Sequence, residues 1–353
     1  MEFQPLPHFY LLTTLIIPSL STKRKIMENT RPRLLVAFDT IEEAYDLLEE
    51  HFEVVRPPKG RDFSKAELLA MLGDFDALAS VFDIPIDREI IEAGGSKLKI
   101  ISNYAVGYNN IDLETAQRLG IAVTNTPQSV VLPTAELTLA LLLAVSRRVA
   151  ELDGAMRQQQ DKLHLSRIDN LGVDLAGKKM GIIGFGNIGK AVAQRAKAFG
   201  MELWYNKRNR LSIEEEKALD LHFASVDEIF SDCEVVSLHT PLTKETKHLA
   251  CRKQLERMKP NAILLNLARG PVVDEEALAD LLEKGVIRGA GLDVFENNDK
   301  PNPRLYSLSN VVMTPHVGTQ TYDARMRMAE ELCNNLTGFF FHQGKEVSFV
   351  VRP

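Results

Sequence analysis

The stretch Lys179–Arg210, KMGIIGFGNIGKAVAQRAKAFGMELWYNKRNR, constrains the chain more than any other. Lys179 to Ile183 is a short apolar run, the signature of a strand covered on both faces. Three glycines follow, Gly184, Gly186 and Gly189, at Gly-x-Gly-x-x-Gly spacing. Ala191, Val192, Arg195, Ala196 and Phe199 continue at helical intervals, Gly200 is placed to end the helix, and Glu202 to Asn206 reads as a second strand. In that order the glycines have separate tasks. Gly184 permits the tight turn, Gly186 lets backbone approach a pyrophosphate, and Gly189 lets helix and strand pack closely, with open helical N–H groups facing the anion. A glycine triplet alone is weak; strand, triplet, helix and strand in one unit predict a dinucleotide site.

The second strand ends in Asn206-Lys207-Arg208-Asn209-Arg210. A carboxylate there would bond the ribose 2′-hydroxyl of NAD, but this loop has none and carries three cations. A planar guanidinium fork and a lysine point charge suit a 2′-phosphate, so NADP(H) is expected, with NAD(H) also possible. The competing reading is a solvated basic loop.

The rest of the 353-residue chain alternates apolar runs with helical patterns. Leu34–Phe38, Phe52–Val55, Ala77–Val81 and Leu98–Ser102 read as strands, with helix faces at Ile41, Ala44, Leu47 and Leu48 and at Leu68, Leu69 and Leu72. Such repetition predicts α/β architecture with parallel, doubly wound sheets. After the fourth of these strands comes the loop Asn103–Asp112, where Gly107 lets backbone N–H groups face a small anion; an ordinary connection is the alternative. Pro127 and Pro133 bracket a break. The segment Ala135–Val149 is then apolar almost all round yet too short to span a bilayer, which predicts a helix buried between domains or against a second subunit. Glu151–Asp174 is polar and is expected to cover a domain edge.

Beyond the glycine unit, four more predicted strands deliver polar groups at their carboxyl ends: His239-Thr240-Pro241, Ala268-Arg269-Gly270, Phe295–Asn298 and Pro315-His316-Val317-Gly318. A guanidinium and an imidazole directly after apolar strands make Arg269 and His316 candidate catalytic groups. His51, His164, His222 and His342 read as surface or structural. Tyr322–Phe341 is an amphipathic helix expected to return to the first domain. Three cysteines without metal-ligand spacing suit free thiols in a reducing, cytoplasmic setting, and no metal site is expected. The net charge of −6 argues against nucleic acid or an anionic membrane as partner. Residues 1–30 read as a disordered leader with Met27 as the functional start, a targeting peptide being the alternative.

The segments AVGYNNID, GFGNIG, HTPLT, NLARGPVVDEEAL, GAGLDVFE and TPHVG, in this order, resemble the D-isomer-specific 2-hydroxyacid dehydrogenases. The short first domain, VTNTP at Val123–Pro127 and SRR at Ser146–Arg148 are most similar to the glyoxylate/hydroxypyruvate reductases. The resemblance implies a Rossmann-type nucleotide domain (130–317) inserted in a discontinuous, flavodoxin-like substrate domain (31–129 and 318–353), while the apolar helix Ala135–Val149 makes a homodimer the expected assembly. It also implies roles. Val106 and Gly107 offer N–H groups to a substrate carboxylate, Arg269 binds that carboxylate and polarises a keto oxygen, and His316 is the general acid. Asn187, Ile188, Thr240, Pro241, Thr246, Leu267, Ala268, Asp293 and Gly318 line the cofactor. The implied reaction reduces a small 2-keto acid by hydride transfer, which needs a bidentate cation, a proton donor and a dry hydride donor.

One position departs from the family. Where it usually has a glutamate paired with the catalytic histidine, this chain has Asn298. An amide can orient an imidazole but adds no charge. Three readings stand: the chain works with a His316–Asn298 pair, it uses Asp299 or Glu296 instead, or it is weakened in catalysis. Two further functions stay open: a formate-type dehydrogenase, whose relatives carry an amide there, and a dinucleotide-sensing interaction protein.

Overall fold

The computed structural model describes residues 31–159, 164–169, 171–297 and 300–353. The expected leader, and with it Met27, lies outside the described residues, as do Asn298 and Asp299. Five parallel strands open the chain: β1 (Arg33–Val36), β2 (Glu53–Val55), β3 (Ala77–Ser80), β4 (Ile100–Asn103) and β5 (Ala122–Thr124). Seven more form a second sheet: β6 (Lys179–Ile183), β7 (Glu202–Asn206), β8 (Leu221–Phe223), β9 (Val235–Leu238), β10 (Ile263–Asn266), β11 (Gly289–Leu292) and β12 (Val311–Met313). A last strand, β13 (Phe349–Val351), pairs antiparallel with β5. The first sheet runs β13-β5-β4-β3-β1-β2 and the second β12-β11-β10-β9-β6-β7-β8. Both are doubly wound, the first in flavodoxin-like order and the second with the order reversal of a dinucleotide-binding sheet between β6 and β9.

Parallel strands must be covered on both faces, and each sheet has an apolar cluster on either side. The second sheet packs Leu264, Leu278 and Phe230 on one face. On the other lie Leu142, Ile182 and Val192. Helix Tyr322–Phe341 returns to the first sheet, where Met328, Leu332 and Leu336 join Leu34, Val36 and Ile100 in one cluster. This crossing makes the first sheet's unit discontinuous in sequence.

The structure corrects the reading of residues 127–174. The apolar helix is Val131–Ser146, so Pro133 lies inside its first turn rather than before it. Proline is tolerated there because the first N–H groups of a helix have no intrahelical acceptor. Part of the polar stretch after it forms a second helix, Val149–Gln159. Strands β8 and β13 and the short helices Arg88–Ala93 and Leu113–Arg118 are additions to the sequence reading. Among the described residues, no helix is long and apolar enough to cross a membrane, and no group of three metal-ligating side chains converges.

Candidate active site

The carboxyl ends of β4, β10, β11 and β12 meet at one cleft. A cavity of about 220 Å³ there is lined by Phe82, Gly107, Leu242, Arg269, Glu296 and His316, among others. A narrower space of about 70 Å³ continues past Val106, Ile188, Leu267, Asp293 and Gly318. Groups far apart in sequence thus share one enclosure. Arg269 follows β10, and its backbone is held by Asn266, which accepts from Ala268 N at 3.1 Å and donates to Arg269 O at 3.1 Å. Its guanidinium lies against Gly107, where any Cβ would overlap it. That close approach explains the glycine.

Three asparagines hold the loop after β4. Asn103 donates to Gly107 O (2.7 Å), Asn125 to Val106 O (2.8 Å), and Asn110 to Val81 O (2.9 Å). The carbonyls of Val106 and Gly107 are therefore occupied, while their N–H groups have no acceptor among the described residues. A small anion would find two backbone donors beside a guanidinium.

His316 sits at φ +54°, a left-handed conformation that disfavours a non-glycine residue. Asp293, at the end of β11, holds it there. Its carboxylate accepts from Thr314 Oγ1 (2.5 Å), Val317 N (2.8 Å) and Gly318 N (2.9 Å), and its carbonyl accepts from His316 N (2.9 Å). Burial pushes the Asp293 carboxyl above its ordinary value against those hydrogen bonds. Asp293 lines the narrower space, and its carboxylate is engaged by the His316 turn. The imidazole packs on Phe82, ring centroids 4.5 Å apart.

Glu296, one of the possible substitutes for the missing glutamate, lines the same cavity but is engaged elsewhere. It meets His248 Nε2 at 2.5 Å and accepts from Glu275 N at 3.3 Å. Glu275 is a functional neighbour that the sequence reading does not single out. This buried carboxylate accepts from Glu296 N (2.7 Å) and from Asn302 N, tying the cavity-lining Glu296 to the start of helix Glu275–Glu283. The run VVDEEAL carries a signal, since a first-turn acid of helix Glu275–Glu283 has its reach directed back toward such a loop.

The glycine turn has the geometry of a dinucleotide cradle. Gly184 stands at φ +96°, and a Cβ there would come within 2.5 Å of the His239 carbonyl. One at Gly189 would meet Gly184 O at 2.5 Å, whereas Gly186 faces open space. Helix Asn187–Ala198 starts at Gly186 without a side-chain cap, so its first N–H groups remain available. Across the turn, Thr240 Oγ1 and His239 Nδ1 are buried without partners. Orphaned polar atoms at the rim of an open helix start fit a bound dinucleotide. Leu267 and Ala268 are buried nearby. Thr246 fastens the following turn, accepting from Thr243 N and donating to Pro241 O. At the end of β7, Asn206 donates to Ala224 O. Arg210 is held by both oxygens of Glu216, at 2.7 and 2.9 Å. Of the three cations in this loop, Lys207 and Arg208 have no carboxylate within ion-pair distance among the described residues.

Burial pushes the His239 imidazole down to about 4. The unfolded chain would protonate it near the ordinary histidine value of about 6.5, so the unfolded state binds more protons between these limits. The stability concerned is intact above pH ~6.5 and lost as pH falls toward ~4. Because the cleft leaves His239 only half-buried, we expect a loss of about 2 kcal/mol rather than the full shift. Urea unfolding at pH 7.5 and 4.5 should show a smaller difference for His239→Gln than for the unaltered chain; equal differences would refute this.

Residues 139–318 match the family described as D-isomer specific 2-hydroxyacid dehydrogenase, NAD binding domain. The glyoxylate reductase of Thermococcus onnurineus is 44% identical over 312 residues, 88% of this chain and 93% of that protein. Among solved structures, the TT0316 protein of Thermus thermophilus is 41% identical with TM-score 0.81, covering 90% of this chain and all of the other. An NADPH-dependent glyoxylate/hydroxypyruvate reductase from Sinorhizobium meliloti, solved with NADP and malonate, is 29% identical with TM-score 0.79, covering 92% and 99%. The chain therefore belongs to the D-isomer-specific 2-hydroxyacid dehydrogenases. It is an oxidoreductase with a nucleotide-binding domain.

Proposed function

We propose that the protein reduces glyoxylate, hydroxypyruvate or a similar small 2-keto acid to the D-2-hydroxy acid, with NADPH preferred over NADH. The observation that carries this reading is the convergence of Arg269, His316 and the Val106–Gly107 backbone on one small cavity beside the glycine turn. Arg269 and the two backbone N–H groups would bind the substrate carboxylate. The same guanidinium would polarise the keto oxygen, and His316 would deliver a proton to it. Phe82, against the imidazole, helps exclude water. Gly184, Gly186, Asn187, Ile188 and Gly189 would hold the pyrophosphate of the dinucleotide. Thr240, Leu267, Ala268, Asp293 and Gly318 would line the remainder. When bound there, the reduced nicotinamide supplies the hydride.

Lys207 and Arg208 support a 2′-phosphate. Arg208→Ala should raise KM for NADPH about tenfold, roughly one charge-assisted bond, and leave KM for NADH unchanged. Steady-state kinetics with both nucleotides check this, and an equal effect on the two would remove the assignment. We also read the division at 129/130 and 317/318 as the domain boundary. A homodimer in a reducing, cytoplasmic compartment is supported by exposed apolar side chains around the second long helix, Val149, Met156, Ile168 and Leu171, and by the free thiols. The decisive test of function is a 2-keto acid panel followed at 340 nm with NADPH and NADH, with formate and NAD+ as a separate arm. Turnover of formate alone, or of nothing, would refute the proposal.

A further inference from the structure

The second sheet has a cavity at its opposite edge, where β10, β11 and β12 begin. It encloses about 270 Å³ between Arg148, Arg288, Asn261 and Asn310, over an apolar floor that includes Val145 and Val312. The two guanidinium groups are not equivalent. Arg148 is paired with both oxygens of Glu151, at 2.8 and 2.5 Å, which uses that carboxylate's charge. It is held there from a left-handed backbone position, φ +57°. Arg288 donates through Nη2 to Leu171 O at 2.6 Å, but its Nε is buried without a partner. Among the described residues no carboxylate lies within ion-pair distance of it. Burial and the nearby Arg148 together disfavour its charge. Two cations and the Glu151 carboxylate wall the cavity, which leaves one positive charge uncompensated, an arrangement suited to an anion.

We propose that this cavity is an oxyanion site, remote from the keto-acid cleft, in which Arg288 and Arg148 receive a carboxylate or phosphate group. Arg288 offers its charge and the guanidinium N–H groups that the Leu171 carbonyl does not take. The side-chain amide of Asn261 also lines the cavity, while that of Asn310 donates to Leu282 O at 3.3 Å. The floor accommodates an apolar portion, so an organic anion fits as well as an inorganic one. The oxyanion can come from solution or from an acidic side chain of a second copy of this chain. The second source has support in the exposed Val149 (54%) and Leu171 (60%) near the rim.

The test uses full-length protein saturated with NADPH, so that the glycine turn is filled. Inorganic phosphate is titrated against chloride at matched ionic strength, and melting and sedimentation are recorded. Arg288→Gln removes the charge and keeps a donor for the Leu171 carbonyl. A rise in melting temperature of about 2–4 °C in the unaltered chain, absent in the variant, with association unchanged, identifies a free anion. Dimer dissociation raised at least about tenfold in Arg288→Gln, and promoted by phosphate in the unaltered chain, identifies a carboxylate from the second copy. If the two chains match in both measurements, the proposal is overturned. Should Arg288→Gln fail to fold, Arg148→Gln gives the same readings, because it removes the other cation from the cavity wall and leaves the Glu151 carboxylate there unpaired.

Discussion

Arg269→Ala is expected to lower kcat/KM for glyoxylate by about a thousandfold while leaving the dissociation constant for NADPH unchanged. The magnitude follows from the hydrogen bonds that the substitution removes. A bidentate guanidinium–carboxylate pair is two charge-assisted hydrogen bonds, each worth roughly 1.5–3 kcal/mol, and about 4 kcal/mol corresponds to three powers of ten. Arg269→Lys keeps the charge and loses the fork, so an intermediate loss of about a hundredfold is expected. Folding should be little affected, since the Asn266 clamp acts on the backbone of residues 268 and 269. Gly107→Ala supplies an independent check. Its Cβ would displace the guanidinium without removing it, so it should raise KM for the keto acid in the same direction. An Arg269→Ala enzyme within tenfold of the unaltered one would show that the carboxylate is bound elsewhere.

Much of this site is legible in the sequence because periodic patterns locate strand ends, and strand ends locate ligands in parallel sheets. The run of Lys179–Ile183, the glycine triplet and Glu202–Asn206 require only local sequence, and β6 and β7 have those bounds. Arg269 and His316 stand out because charge directly after an apolar run is costly unless used. What stays hidden depends on tertiary structure. Nothing local in Asp293 indicates that its carboxylate binds the 314–318 turn, or in Asn125 that it binds Val106 O nineteen residues back. Glu275 and Glu296 meet only because helix Glu275–Glu283 packs beneath the loop after β11. Strand β13 is illegible because three residues carry too little alternation to register. Pro133 misleads for another reason: a breaker inside a helix is permitted in its first turn.

His316→Asn isolates the proton-transfer step, and kcat is expected to fall by about a thousandfold with little change in NADPH affinity. General acid catalysis by a positioned side chain contributes roughly 10²–10⁴. Asparagine is the informative replacement because residue 316 stands at φ +54°, and an amide side chain tolerates the left-handed region better than alanine. The turn itself is held by Asp293 through the backbone of residues 316–318, which the substitution leaves in place. A fall in kcat at unchanged melting temperature would then report chemistry rather than collapse of the loop. His316→Ala should be less stable than His316→Asn by about 1 kcal/mol, because alanine tolerates the left-handed backbone less well, a difference separable by urea unfolding. Single-turnover decay at 340 nm with enzyme in excess distinguishes slow chemistry from slow product release. If His316→Asn keeps more than a tenth of the normal single-turnover rate, the proton comes from another group, and His248, hydrogen-bonded to the cavity-lining Glu296, becomes the group to replace next.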